Sequence, residues 1–219
     1  MNAESGTEVG AKLAAPFLSL LPVTGVAISV FNQGNQASLI YATDPIATAL
    51  EELHFDLGEG PMIDVFLNGS PLLLPDLAPS DRWPAFVQQA AMLDVAALFA
   101  FPLTLGAVCI GAVLCYRTTA GPLADGDSDV GESLGRAVAG PAFRHAITRA
   151  ANETPDGEPP IEIRREVHQA TGMVTTQLDS SATDAFARMR AYAFSSGLSL
   201  REVADDVVGR RLDFSTLED

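Results

Sequence analysis

Arg164, Arg165, Arg188, Arg190, Arg201, Arg210 and Arg211 are the only Lys or Arg side chains between positions 158 and 219, and every one is arginine. A guanidinium fork matches phosphate oxygens in pairs and lies flat on bases and aromatic rings. With His168 and Tyr192 set among them, these residues could contact the phosphates and unstacked bases of a nucleic acid. Each also has an ordinary reading as a solvated helix-face residue or as the i, i+4 partner of an acid, as Arg201 could be for Asp205.

Other chemistry is poorly supported. Glu59 and Asp64 could form an acid/base pair, but carboxylates in a Gly-Pro loop and at a helix start are more often turn formers and caps. Cys109 and Cys115 are too few for a disulfide framework, and their even spacing predicts that both thiols share one face of a strand as core residues. His54, His145 and His168 have no metal-ligand spacing with one another or with cysteine. The chain contains no G-x-S-x-G, G-x-G-x-x-G, P-loop or H-E-x-x-H motif. We therefore expect neither an enzyme nor a bound metal or cofactor.

The 219 residues carry a net charge of -15 and are 47% hydrophobic, enough for a substantial core in one large or two small domains. Such acidity works against general affinity for polyanions, so nucleic-acid binding would need a local basic surface. Residues 1–157 have a net charge of -11 and residues 158–219 of -4, which points to the C-terminal segment. The start, MNAESGTEVG, lacks a basic leader region, so a cytoplasmic protein is expected. The uncharged stretch Leu13 to Tyr41 is interrupted by Pro16, Pro22, Gly25 and Asn32 to Gln36, which argues against a membrane span.

To position these side chains, the sequence predicts an amphipathic helix over residues 3–20. A hairpin of VTGVAISVF and ASLIYA about the turn NQGNQ follows. Helices come next around IATALEELHF and MIDVFLNG, then the strand PLLLPDL and a helix in WPAFVQQAAML. Two apolar strands, VAALFAFPLTL and AVCIGAVLCYR, form a central antiparallel pair. Val130, Leu134, Val138, Phe143 and Ile147 mark a helix from Ser128 to Ala151 with Gly140-Pro141 as a kink. The Pro-, Gly- and acid-rich stretch 152–160 reads as a linker.

Beyond it, Ile163, Val167, Ala170, Val174 and Leu178 predict one helix. Ala185, Phe186, Met189 and Ala193 predict a second that begins after Ser181 and stops at Gly197. A third has the S-x-x-E capping box Ser199/Glu202 and Leu200, Val203, Ala204, Val207 and Val208 on its face. Gly172 stands mid-helix, where glycine costs about 0.5–1 kcal/mol relative to alanine, so close packing against a neighbouring helix is the expected reason for it.

The run LHFDLGEGPMIDVFLNGSPLLLPDL, Trp83-Pro84 and AFPLTLGAVCIGAVLCYR resembles a GAF domain of the actinobacterial type. EVHQATGMVTTQLDSSATDAFARMRAYAFSSGLSLREVADDVV resembles the ANTAR domain. The matching positions of the second are Ala170, Gly172, Ala185, Phe186, Arg190, Ala191 or Ala193, Val203 and Ala204; many family members have Lys where Thr171 stands. The resemblance implies an α+β GAF-like domain over 1–151 with a central antiparallel sheet flanked by helices. A linker over 152–160 and a three-helix ANTAR bundle over 161–219 would follow.

The resemblance further implies a transcription antitermination regulator that binds paired stem-loops in nascent transcripts as a homodimer. Arg164, Arg165, His168, Thr171, Arg188, Arg190, Tyr192 and Arg201 would touch RNA. The GAF-like domain would either mediate dimerisation or sense a signal, in which case Glu59, Met62, Asp64 and Phe66 would line a pocket for a small molecule or protein. The apolar face Val130, Leu134, Val138 would seek a partner in a second copy. Two rivals stand: a DNA-binding helix-turn-helix, opposed by the acidic LREVADDVVG, and a protein-interaction module without nucleic-acid binding.

Overall fold

The computed structural model describes residues 6–31, 37–78, 80, 82–152 and 162–217, with side chains of 150–152 and 162–165 outside the description. The turn expected at 32–36 and most of the expected linker lie outside the described residues. The chain divides into two compact units, Met1–Asn152 and Glu153–Asp219.

The first unit is a mixed α+β layer structure. Its elements are α1 (Gly6–Leu20), β1 (Gly25–Phe31), β2 (Ala37–Ala42), α2 (Pro45–Leu57), α3 (Pro61–Asn68), β3 (Leu72–Leu74), α4 (Pro84–Ala90), β4 (Ala97–Leu105), β5 (Val108–Arg117) and α5 (Asp127–Asn152). The five strands form one sheet of order β2-β1-β5-β4-β3, and every neighbouring pair is antiparallel. Helices α1 and α5 cover one face, burying Leu13, Phe17, Val138 and Ala142 against Val26, Ile28, Phe99, Phe101 and Val113. Helices α2 and α3 pack against strands on the other face, where Ser29 donates to the buried Glu51 at 3.1 Å. With both faces covered, β4 needs no polar alternation, which is why its sequence is apolar almost throughout.

Two sequence readings of this unit need correction. The cysteines do not share a face. The β4–β5 register shifts between Leu103 and Thr104, which pair with Gly111 and Cys109, leaving Ile110 as an extra residue on β5. Such a bulge reverses the alternation. Cys115 lies in the α1/α5 core, while Cys109 approaches the Val65 carbonyl of α3 at 4.0 Å.

Nor does the apolar pattern of α5 form one face. Val130, Leu134 and Val138 pack into the core, whereas Phe143 and Ile147 are 38% and 53% exposed. The step from Val138 to Phe143 is five residues, which turns the helix about 140° away from its starting face. The inward positions are taken over by Ala139, Ala142 and Ala146. Pro141 sits inside α5 without ending it.

The second unit consists of α6 (Glu162–Leu178), α7 (Ala182–Ser196), α8 (Leu200–Val208) and a 3-10 turn, Phe214–Thr216. Its buried apolar side chains are Val167, Ala170 and Val174 of α6, Ala185, Phe186, Met189 and Ala193 of α7, and Leu200, Val203, Ala204 and Val207 of α8, closed off by Phe214. The ends form as the local sequence requires. The Ser181 hydroxyl accepts the Asp184 N–H, and Ser199 and Glu202 complete the reciprocal capping box. Gly197 stops α7 in the left-handed region, at φ 66°. No helix among the described residues is long and apolar enough to cross a membrane.

Candidate nucleic-acid interface

The sequence-derived RNA-contact residues fall on all three helices of the second unit. Arg164 and Arg165 stand in the first turn of α6, with side chains outside the described residues. His168 is exposed further along α6, Arg188 on α7 and Arg201 on α8. Among the described residues no ion pair joins Arg201 to Asp205, so its guanidinium is open to solvent. Arg190 is half-buried with its guanidinium 4.7 Å above the Phe186 ring, and Tyr192 meets Phe214 edge-on at 5.5 Å. These two contribute to packing as well as to surface.

Thr171 does not belong in the set. It is buried, its hydroxyl donates to the Val167 carbonyl at 2.7 Å, and Met189 lies 3.8 Å away. A β-branched hydroxyl that bonds back one turn can enter a helix core without an unsatisfied polar group, and that is its role here. Gly172 also departs from expectation. It is exposed, and a Cβ built on it would meet nothing within 4 Å, so no helix of its own unit packs there.

The acidic side chains near this surface are largely engaged. Glu202 accepts the Ser199 N–H at 2.8 Å and hydroxyl at 2.9 Å; these backbone and side-chain bonds hold its carboxyl below the usual range. Asp206 pairs with Arg211 at 2.7 Å and Asp184 accepts the Ser181 hydroxyl at 2.7 Å. Even so, Glu202, Asp205 and Asp206 stand on α8, the helix that would have to enter a groove of duplex DNA, and none of them suits phosphate.

One surface residue escaped the sequence reading. Phe194, on α7, is 68% exposed. The signal was available, because Phe194 lies one position past buried Ala193 and so leaves the face defined by Ala185, Phe186 and Met189.

In the first unit the four expected pocket residues each have an internal partner. Glu59 accepts the Phe86 N–H at 3.4 Å, and Asp64 pairs with Arg82 at 2.5 Å. Phe66 stacks on Phe31 at 4.3 Å. Met62 is buried and donates its N–H to His54 Nε2 at 3.1 Å. They tie α3 to α4, to β1 and to the end of α2.

Comparison with known proteins assigns the two units. The ANTAR domain model matches residues 161–208, the stretch that forms α6, α7 and α8. No curated protein sequence matches the chain. Among solved structures, a domain described as part of a two-component sensor histidine kinase from Sinorhizobium meliloti is similar at 15% identity and TM-score 0.54, covering 70% of this chain and 100% of its own. A GAF domain/HD domain protein from Geobacter sulfurreducens is similar at 18% identity and TM-score 0.51, over 65% of this chain and 95% of its own. A type II free methionine-R-sulfoxide reductase from Thermoplasma acidophilum reaches 13% identity and TM-score 0.50, over 63% and 94%. At these identities the likeness is one of fold, and folds of this kind host unrelated activities. The chain therefore combines a unit of GAF-like fold with a segment, residues 161–208, that matches the ANTAR domain.

Proposed function

We propose that this protein is an RNA-binding transcription antitermination regulator that acts in the cytoplasm as a homodimer. The ANTAR bundle over 161–219 grips paired stem-loops in nascent transcripts. The GAF-like unit over 1–151 receives a small-molecule or protein signal near Glu59, Met62, Asp64 and Phe66. The observation that supports this most is the ANTAR match over three helices whose outer surfaces carry His168, Arg188 and Arg201. The protein is a regulator in this reading, not a catalyst. Of the apolar face Val130, Leu134 and Val138, Val138 is buried in the protein's own core, while Val130 and Leu134 pack only partly against that core and keep some surface for a second copy.

The test is binding of the purified chain to RNA hairpin pairs with randomised loops, against duplex DNA of matched length, across a salt series. Saturable RNA binding that persists in excess duplex is expected, and Arg188→Glu with Arg190→Glu should abolish it while the helical signal stays. Preference for duplex DNA would favour the helix-turn-helix reading. Binding to neither would favour a protein-interaction module.

A further inference from the structure

We infer that Phe194 is a base-stacking platform, the ring on which an unpaired base of the bound RNA rests; this deepens the RNA reading and depends on it. Helical geometry gathers Ala187, Ala191 and Phe194 into one narrow outward stripe, because steps of four and three residues return to the same side. All three are exposed, and the two alanines rise little above the helix surface. Helical side chains lean towards the N-terminus, so the ring stands over the turn carrying Arg190 and Ala191, with no bulky apolar neighbour on that stripe to cover it.

The pedestal is stiff. Leu198 N–H bonds to the Ala193 carbonyl at 3.0 Å and Gly197 N–H to the Phe194 carbonyl at 3.3 Å, the two bonds of a Schellman cap. The Phe194 backbone is thus fixed before any ligand arrives, and the ring itself has only two torsions to lose, so binding meets a preorganised surface.

Charge identifies the occupant. Arg190 and Arg188 flank the stripe on its two sides, the former held over Phe186 and the latter exposed. A ring on a stripe with an arginine position on each side suits a base whose 5′ and 3′ phosphates fall to either side, the arrangement by which single-stranded loops are held. A protein partner would need a broader apolar area than the Phe194 ring, two alanine methyl groups and the partly exposed Leu198 beyond the cap.

The experiment uses the full chain and an RNA enriched on the wild-type protein from hairpin pairs with randomised loops. Loss of one stacked base lowers affinity by about ten-fold or more, so Phe194→Ala and Phe194→Leu should both show that loss, while Phe194→Trp stays close to wild type. The thermal transition should not move, since the ring is mostly exposed. In Phe194→Trp, RNA should quench a fluorescence signal that Trp83, the single native tryptophan, does not give in the wild type. Wild-type affinity in Phe194→Leu, or in Phe194→Ala while the Arg188→Glu/Arg190→Glu variant fails to bind, would overturn the stacking role and leave the RNA reading standing. A changed sedimentation coefficient of Phe194→Ala with RNA affinity intact would assign the ring to a protein contact instead. If no RNA is enriched at all, the RNA reading itself has failed.

Discussion

At the scale of single residues, His54 is the most constrained group in the first unit. It is buried, its Nδ1–H donates to the Leu50 carbonyl at 2.6 Å, and its Nε2 accepts the Met62 N–H. These partners fix one neutral tautomer, because a carbonyl can only accept and an N–H only donate. The ring also explains Gly60, whose φ of 124° is open to glycine and whose Cβ, if present, would lie 2.7 Å from the imidazole. Burial lowers the His54 pKa from 6.5 to about 4. Below pH 6.5 the unfolded chain takes up a proton that the folded one refuses, so stability should be full above that pH and decline as pH falls towards 4. The loss should be on the order of 3 kcal/mol, by conversion of the shift at 1.36 kcal/mol per pH unit. Urea denaturation of wild type and His54→Gln at pH 7.5 and 4.5 checks this, and equal pH dependence in both would refute it. Gly172 gives a second residue-scale expectation. With open space around it, Gly172→Ala should stabilise α6 by about 0.5–1 kcal/mol. If RNA approaches the bare backbone, the same variant binds RNA less tightly; a more stable variant of unchanged affinity would give Gly172 no part in binding.

At the scale of elements, what was legible and what was not follow from the range of the signal. Caps and stops are encoded within four residues, and those at Ser181, Gly197, Ser199 and Glu202 could be placed from sequence alone. The bulge at Ile110 depends on how β5 meets its neighbour, which no local pattern announces, and so the even spacing of the cysteines suggests one face where they occupy two. Helix α5 shows the same limit. Its apolar residues suggested one stripe, but its path is set by glycines whose partners are distant in sequence. A Cβ on Gly135 would lie 2.4 Å from the Pro102 carbonyl oxygen, while one on Gly140 would meet only the Arg144 and Leu105 side chains, at 3.5 and 3.7 Å. Gly135→Ala must push α5 off β4 and should cost about 1–3 kcal/mol, as overpacking does. Gly140→Ala should be neutral or stabilising. Thermal denaturation of the pair decides, and equal stabilities would remove the close-approach account of Gly135.

At the scale of the whole molecule, the two units differ in what their sequences disclose. The resemblance to the ANTAR domain is carried by spaced small and aromatic positions that the fold buries, namely Ala170, Ala185, Phe186, Val203 and Ala204. Candidate contacts such as His168, Arg188 and Arg201 are instead solvent-facing, where periodicity says only that a side chain is outside. Periodicity therefore does not single out exposed Phe194 from its neighbours, nor separate buried Thr171 from a surface position. The second unit has its own core of three capped helices, closed by Phe214, whose N–H bonds to Gln177 Oε1 at 3.1 Å. A fragment spanning 153–219 should therefore fold alone, giving a helical spectrum and a cooperative melt. At 67 residues such a core leaves only a few kcal/mol of stability, so deleting the 3-10 segment with Phe214 should abolish the melt. A fragment that is helical but melts without cooperativity would mean that the bundle depends on the first unit for its packing. If the fragment folds and binds RNA as tightly as the full chain, the GAF-like unit is not required for contact and its part is control. Weaker binding by a folded fragment would make that unit the source of the second RNA-binding copy, through effective concentration.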